Sequence, residues 1–148
     1  MNVLVTGGGG FIGSHLVEDQ LKRGRAVRAL DLDFSSLNGT AAHAQLQKIT
    51  ADIRNTELVR RSLTGVDAVF HLASAHLSLT TSEKDYWDIN VTATKALVEL
   101  CRTSGVKRLI HCSSVGIYGD VIDAPANEES SCSPDLVYDK TKLAGEQC

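Results

Sequence analysis

The chain has 148 residues and a mass of 15.9 kDa, which suits one domain with a single buried core better than two ordinary domains. Its 15 basic and 18 acidic residues give a formal net charge of −3, and they form no block of like charges that would bind a polyanion. We therefore predict no nucleic-acid partner. Apolar runs stay shorter than the roughly 18 residues that cross a bilayer, and Met1 leads straight into a strand-like segment rather than a leader peptide. These features predict a cytoplasmic protein that does not bind a membrane.

Short β-branched apolar runs alternate with longer stretches of helical apolar spacing along the chain. The predicted strands are residues 2–6, 26–31, 46–51, 67–72 and 107–113, and the predicted helices are residues 11–23, 56–63 and 82–104. Residues 120–135 predict an exposed loop before a final helix that begins near Leu136. This alternation is typical of an α/β domain with a doubly wound parallel sheet, in which the strands are buried on both faces and the helices lie on alternating sides.

A glycine-rich turn joins the first predicted strand to the first predicted helix. Gly7, Gly10 and Gly13 give the spacing G-x-x-G-x-x-G. Glycines allow the backbone to turn tightly and to approach a pyrophosphate closely, while the helix N-terminus supplies N–H donors and a favourable dipole. A turn that merely connects strand and helix is the alternative. Asp31 argues against it, because it ends the second predicted strand 18 residues after Gly13, where a carboxylate can bind the adenosine ribose.

Asp31 also bears on the choice of dinucleotide. A carboxylate at this position repels the 2′-phosphate of NADP. Arg28 would offset that repulsion only if it reached the phosphate, and it lies within the strand rather than after it. The sequence therefore favours NAD over NADP.

Tyr138 and Lys142 are four residues apart at the start of the last predicted helix, so their side chains lie on one face. An ammonium group, with a nicotinamide cation beside it, is expected to lower the pKa of the phenol and make it a base. Ser114 follows the fifth predicted strand, at the sheet edge where ligands of parallel sheets bind. Its hydroxyl can hydrogen-bond a substrate oxygen. Taken alone, Tyr138 and Lys142 could be a chance pair on the surface of a helix, and Ser114 could be a turn residue.

These motifs together resemble the extended short-chain dehydrogenase/reductase family, the NAD-dependent epimerase/dehydratase group, and the resemblance covers the whole chain. It implies a Rossmann-type fold and three catalytic residues: Ser114 at the substrate, Tyr138 as base and Lys142 at the nicotinamide ribose. It also implies cofactor contacts from Gly7, Gly10, Phe11, Ile12, Gly13, Asp31, Asp52, Ile53, Leu72, Ala73, Ser74, Asn90, Tyr138 and Lys142.

Some of these residues have structural alternatives. Phe11, Ile12, Leu72 and Ala73 could be core residues, and Asp52 could cap the short helix that follows it. The four cysteines contain no C-x-x-C pair, and the five histidines lack the paired spacing of a metal site on a helix, so we predict no metal.

The resemblance narrows the reaction but leaves it open. Sugar-nucleotide dehydratases carry acids where this chain has Val115 and Gly116, which disfavours a 4,6-dehydratase. An NAD-dependent sugar-nucleotide 4-epimerase and a hydroxysteroid-type or aldehyde/ketone oxidoreductase remain, with a non-catalytic dinucleotide-binding module as the rival.

The chain is about half the usual length of the family. We therefore expect one domain, residues 1–148, that stops before the last strands and the substrate region, either as a piece of a longer protein or as a reduced natural product that keeps only the cofactor domain. Such a chain should bind NAD without turning over a substrate, and it could form a homodimer through helix faces around residues 82–104 and after Leu136.

Overall fold

A computed structural model describes residues 1–37, 42–76, 81–121 and 124–148. Its strands are β1 (Asn2–Thr6), β2 (Ala26–Asp31), β3 (Leu46–Thr50), β4 (Ala68–His71) and β5 (Arg108–His111). They form one sheet in the order β3-β2-β1-β4-β5, and every pairing is parallel. The predicted doubly wound α/β sheet is therefore confirmed.

The helices are α1 (Phe11–Lys22), α2 (Thr56–Ser62), α3 (Glu83–Trp87), α4 (Ala93–Thr103) and α5 (Val137–Glu146). The single helix predicted over residues 82–104 is interrupted by a π-helical turn, Asp88–Thr92, between α3 and α4. Apolar spacing does not reveal such a turn, because the apolar residues continue on one face through it. In the described ranges, no helix has the length and apolar content that crossing a bilayer requires.

The central and edge strands differ in burial. Val3, Leu4 and Val5 of β1 are completely buried, since β1 lies in the middle of the sheet with helices over both faces. The edge strands β3 and β5 alternate between partly buried and exposed residues. Burial of all five strands on both faces, as predicted, is therefore correct for the centre of the sheet and wrong at its edges.

The helices do not alternate strictly between the two faces. Val17 and Leu21 of α1 pack with Val3 and Val5 on one face, whereas α2 and α4 share the other face around Leu4. The chain moves one way across the sheet from β1 through β2 to β3 and the opposite way from β3 through β4 to β5. A right-handed crossover changes face when its direction reverses.

Helix α5 packs across α3 and the π-helical turn. The rings of Tyr86 and Tyr138 meet edge to face with centroids 6.4 Å apart, and Asn90 Nδ2 donates to Thr141 Oγ1 over 3.0 Å. The two segments predicted to mediate dimerisation thus cover one another in part, and a homodimer through their outer surfaces stays a prediction.

Candidate active site

A crevice of about 550 Å³ opens at the carboxyl ends of the parallel strands. Of the predicted site residues, it is lined by Gly7, Gly10, Phe11, Ile12, Gly13, Asp31, Asp52, Ile53, Leu72, Ala73, Ser74, Tyr138 and Lys142. Ser114 and Asn90 are not among the lining residues: Ser114 is partly exposed beside the crevice, and Asn90 is buried. Sequence reasoning missed part of the lining, including Leu32, Ile89 and Cys112, which are apolar or thiol side chains without a distinctive motif.

The glycine turn packs too tightly for side chains. Gly7 has a φ of +70°, and a β-carbon on it would lie 2.6 Å from the backbone nitrogen of Ala73. A β-carbon on Gly13 would lie 1.9 Å from the carbonyl oxygen of Gly7. Both residues therefore have to be glycine so that α1 and the loop after β4 can approach the turn.

The N-terminus of α1 faces the crevice with free donors. Gly10 is the N-cap, and the first helical hydrogen bond runs from Ser14 N–H to the Gly10 carbonyl over 2.9 Å. The amides of residues 11–13 precede that bond and so have no acceptor within the helix. The side chains of Phe11 and Ile12 are 78% and 59% exposed, so neither is a core residue.

The carboxylate of Asp31 is held at the crevice edge by backbone donors. Gly9 N–H donates to Asp31 Oδ2 over 2.9 Å, and Leu32 N–H donates to Oδ1 over 2.7 Å. These bonds tie the end of β2 to the glycine turn, which places the predicted ribose-binding acid next to the predicted pyrophosphate-binding turn.

Arg28 is bonded elsewhere. Its Nη1 donates to the carbonyl oxygens of Ser62 and Thr64 over 2.8 and 2.6 Å, at the C-terminal end of α2. A guanidinium engaged in this way does not offset the charge of Asp31.

Asp52 and Ile53 lie after β3. Arg54 Nη2 is 2.7 Å from Asp52 Oδ2, and hydrogen bonds from Arg54 hold the pKa of the Asp52 carboxyl below its usual value. Asp52 does not cap α2, because Asn55 does so by accepting from Leu58 N–H over 3.1 Å. Ile53 is buried in the core and only its edge reaches the crevice.

Tyr138 and Lys142 lie side by side on α5, as their spacing predicts, but their polar atoms have different partners. The hydroxyls of Ser114 and Ser74 lie close enough to the phenol of Tyr138 to lower its pKa. The ammonium of Lys142, almost completely buried, donates to the carbonyl oxygen of Cys112 over 2.5 Å. Lys142 keeps two further N–H donors.

Burial acts on both groups. It raises the pKa of Tyr138, to which the charges of Asp139 and Cys112 add, while the hydroxyls of Ser114 and Ser74 lower it. For Lys142, whose charged form is the ammonium, burial lowers the pKa. Lys142 is not among the groups that shift the pKa of Tyr138 in this arrangement, and its ammonium is directed at a carbonyl rather than at the phenol. The expected lowering concerns a phenol with a nicotinamide cation beside it and stays a prediction.

Asn90 connects three segments rather than projecting into the crevice. It is 2% exposed, and its Oδ1 accepts from Ala75 N–H over 2.8 Å and from the Ser74 hydroxyl over 3.0 Å. Its Nδ2 donates to the carbonyl of Ala75 and to Thr141 Oγ1. With these four bonds the amide has no free capacity, so Asn90 holds Ser74 and α5 in place.

A buried histidine lies beneath the site. His71 Nδ1 is 2.7 Å from Thr6 Oγ1, and His71 Nε2 is 2.9 Å from Thr94 Oγ1. Burial lowers the pKa of His71 to about 3, and the charges of His111 and Lys142 add to this effect. Sequence reasoning missed this cluster, since its three members come from β1, β4 and α4.

Ser114 lies three residues beyond the end of β5, not at the strand end as predicted. Its Oγ accepts from Gly116 N–H over 3.1 Å and so caps the short helical turn Val115–Tyr118. The cap and the hydrogen bond to Asp139 Oδ1 hold the hydroxyl between the sheet edge and α5.

A second cavity, of about 640 Å³, lies between Tyr118 and the loop that contains Glu129 and Asp135. It is lined by none of the predicted site residues. The strand-end crevice is therefore the candidate active site.

The geometry agrees with a family comparison. The family model that matches residues 3–148 is described as the NAD dependent epimerase/dehydratase family. This chain belongs to that family. The family predicted from the sequence motifs is thereby confirmed.

Similar proteins act on different alcohols. A UDP-glucose 4-epimerase from Lactobacillus helveticus is 34% identical over 99% of this chain and 46% of its own length. A 3-beta-hydroxysteroid dehydrogenase from Mycolicibacterium neoaurum is 32% identical over 98% of this chain and 41% of its own. The crystal structure of UDP-glucuronic acid 4-epimerase from Bacillus cereus in complex with NAD matches with a TM-score of 0.89 at 31% identity, over 99% of this chain and 50% of that one. This chain thus spans half or less of the length of each.

Proposed function

We propose that this member of the epimerase/dehydratase family binds NAD in the strand-end crevice and, in the full-length gene product, oxidises a secondary alcohol with Tyr138 as the proton acceptor. One observation carries the proposal: a single crevice is lined at one end by Gly10 and Asp31 and at the other by Tyr138 and Lys142. A site that only sensed a dinucleotide would need the first pair and not the second.

The residues of the crevice fit a dinucleotide. A β-carbon on Gly10 would meet one atom only, Gly7 O at 3.4 Å, so space is left there for a phosphate beside the amides of residues 11–13. Asp31 offers carboxylate oxygens to ribose hydroxyls. Apolar Leu32 and Ile53 line the same end of the crevice and can contact an adenine ring.

NAD, when bound, supplies the hydride acceptor for the alcohol carbon. Tyr138 Oη takes the hydroxyl proton, and Ser114 Oγ lies next to that phenol, where it can hydrogen-bond the same substrate oxygen. The remaining donors of Lys142 are available to a ribose hydroxyl, which would keep the ammonium beside the phenol.

The substrate we favour is a sugar nucleotide, taken by a 4-epimerase. Support comes from the relatives named as 4-epimerases of UDP-glucose and UDP-glucuronic acid, and from the absence of acidic side chains at Val115 and Gly116. An epimerase needs proton transfer at one alcohol only, which Tyr138 and Ser114 can supply.

A second candidate is an oxidoreductase for an apolar alcohol such as a hydroxysteroid. Val115, next to Ser114, is 87% exposed, and Leu136, two residues before Tyr138, is 54% exposed. Exposed aliphatic side chains beside the catalytic hydroxyls favour a substrate with an apolar ring face.

Nucleotide titration tests the binding half of the proposal. We expect NAD to bind at least tenfold more tightly than NADP, because Asp31 repels a 2′-phosphate and Arg28 is bonded to α2. Asp31→Asn should narrow that ratio, while Asp33→Asn, which removes a neighbouring exposed carboxylate, should leave it unchanged. Equal or tighter binding of NADP to the unmodified chain would contradict the proposal.

Turnover assays of the full-length gene product test the chemical half. UDP-sugars should be epimerised, with no net NADH release, if the first candidate is right. Hydroxysteroids should instead produce NADH if the second is right, and activity with neither class would leave a dinucleotide-binding module.

A further inference from the structure

The carboxylate of Asp139 lies directly behind the catalytic hydroxyls. Asp139 follows Tyr138 on α5 but turns inward, so that it is only 9% exposed. The hydroxyl of Ser114 donates to Asp139 Oδ1 over 3.4 Å. Because the desolvation of a carboxylate costs free energy, its deep burial here calls for a structural or functional explanation.

Gly116 provides the space for that carboxylate. A β-carbon on Gly116 would lie 2.0 Å from Asp139 Oδ1 and 2.4 Å from Asp139 Cγ. The carboxylate therefore fills the volume that any other residue at position 116 would occupy. Glycine at 116 and aspartate at 139, 23 residues apart in sequence, form one structural unit with Ser114.

The hydroxyl of Ser114 has one hydrogen, and two groups compete for it: the carboxylate of Asp139 and the phenolate of Tyr138. An ionised carboxylate only accepts hydrogen bonds, so the hydrogen of Ser114 points to Asp139 while its oxygen accepts from Gly116 N–H. In that state Ser114 can accept from the protonated phenol of Tyr138. To stabilise the phenolate, Ser114 has to turn its hydrogen away from Asp139.

The charge of Asp139 also opposes formation of the phenolate of Tyr138. Its Coulomb interaction raises the pKa of Tyr138, next in size after burial. The other titratable groups near the phenol are Lys142 on the same helix, Cys112 after β5 and Tyr86 on α3. Among these, the charge of Cys112 also raises the pKa of Tyr138, and the ammonium of Lys142 is bonded to a carbonyl.

We propose that Asp139 is a positioning residue that acts through Ser114: its carboxylate, held in the space left by Gly116, orients the serine hydrogen beside the proton acceptor Tyr138. The proposal rests on the proposed role of Tyr138 as proton acceptor. Since Asp139 opposes formation of the phenolate, its removal should allow Tyr138 to ionise at a lower pH.

The test is a pH titration of the chain labelled with ¹³Cζ-tyrosine and followed by NMR. The chain has three tyrosines, and Tyr138→Phe identifies the signal of Tyr138. We expect Asp139→Asn to move the midpoint of that signal to lower pH. Asp135→Asn, an exposed acid just before the same helix, is the matched control and should leave it in place.

A second pair of variants tests the role of Gly116 without changing the charge. Gly116→Ala should push the carboxylate away from Ser114 and lower the midpoint in the same direction as Asp139→Asn. In an Asp139→Ala background, Gly116→Ala meets no carboxylate and should add no further shift.

An unchanged Tyr138 midpoint in both Asp139→Asn and Gly116→Ala would overturn the proposal and leave Asp139 as an acid that stabilises the first turn of α5. An equal shift in Asp135→Asn would overturn it too, since the effect would then be general to charges near the helix N-terminus. The proposed function has a test of its own: retention of turnover by the Tyr138→Phe variant of the full-length gene product would contradict it. The dissociation constant of NAD should stay within about twofold in Asp139→Asn, Asp135→Asn and Gly116→Ala, because these residues neither line the crevice nor touch the glycine turn.

Discussion

The two ends of the crevice are built in different ways. At the dinucleotide end, Gly7, Gly10 and Gly13 lie within one turn, and Asp31 joins them through bonds to the backbone of Gly9 and Leu32. At the catalytic end the groups come from distant segments. Side chains and a carbonyl from the segments that follow β4 and β5, from the π-helical turn and from α5 meet there through long-range hydrogen bonds.

The difference predicts different responses to substitution. The dinucleotide end depends on backbone shape, which a single β-carbon disrupts. The catalytic end depends on a network of side-chain hydrogen bonds and charges, in which one atom can be removed while the fold is retained. Binding and chemistry should therefore be separable by mutation.

Gly13→Ala should have the largest effect. The new β-carbon would lie 1.9 Å from the Gly7 carbonyl, a backbone atom that cannot move aside without breaking the turn. We expect NAD affinity to fall by a factor of about 100 or more, roughly 2.7 kcal/mol, together with a lower melting temperature. Isothermal titration and thermal unfolding measure both.

Gly10→Ala is the matched control for that variant. Its β-carbon would meet only Gly7 O at 3.4 Å. It should weaken NAD binding by filling the crevice and leave the melting temperature nearly unchanged. Equal losses of stability in the two variants would contradict the difference that we infer between packing and binding glycines.

Tyr138→Phe should affect the catalytic end alone. Loss of the phenolic oxygen removes the proton acceptor, so kcat in the full-length gene product should fall by a factor on the order of 100 or more. The dissociation constant for NAD should change little, since the ring and its contact with Tyr86 remain. Retention of most of the turnover would assign the proton transfer to another group, with Ser114 first.

The smallest predicted effect concerns stability in mild acid. His71 is buried and neutral, with its pKa lowered to about 3, whereas an unfolded histidine has a pKa of 6.5. The unfolded state therefore binds the proton first, and the stability that His71 contributes is lost as pH falls from about 6.5 towards 3. The slope from this one group reaches about 1.4 kcal/mol per pH unit.

Denaturant unfolding at pH 5, 6 and 7 checks this sign, and His71→Gln should flatten the slope. His15→Gln, which replaces a histidine on the exposed side of α1, is the control and should keep the slope of the unmodified chain. A residual slope is expected in His71→Gln, because burial also lowers the pKa of His111. Identical slopes with and without His71 would contradict the prediction.

Prediction from sequence succeeded where the signal is local. The apolar runs gave the strands to within one or two residues, and Leu136, expected near the start of the last helix, is its N-cap. The spacing of Tyr138 and Lys142 placed both on one face of α5. The glycine spacing and Asp31 likewise pointed to residues that line one crevice, because turn conformation and strand-end position depend on neighbouring residues. Their contact with a dinucleotide stays a prediction.

What the tertiary structure alone decided is the partner of each polar group. Asn90 uses its amide to join Ser74 to α5, Lys142 is directed at the carbonyl of Cys112, and Asp139 fills the space left by Gly116. Backbone carbonyls have no residue-specific signal in a sequence, and a missing β-carbon matters only beside the group that packs against it. The sequence by itself therefore determined which elements form and which residues can do the chemistry, while the packing of α5 against the π-helical turn and the end of β5 decided how those residues are oriented and charged.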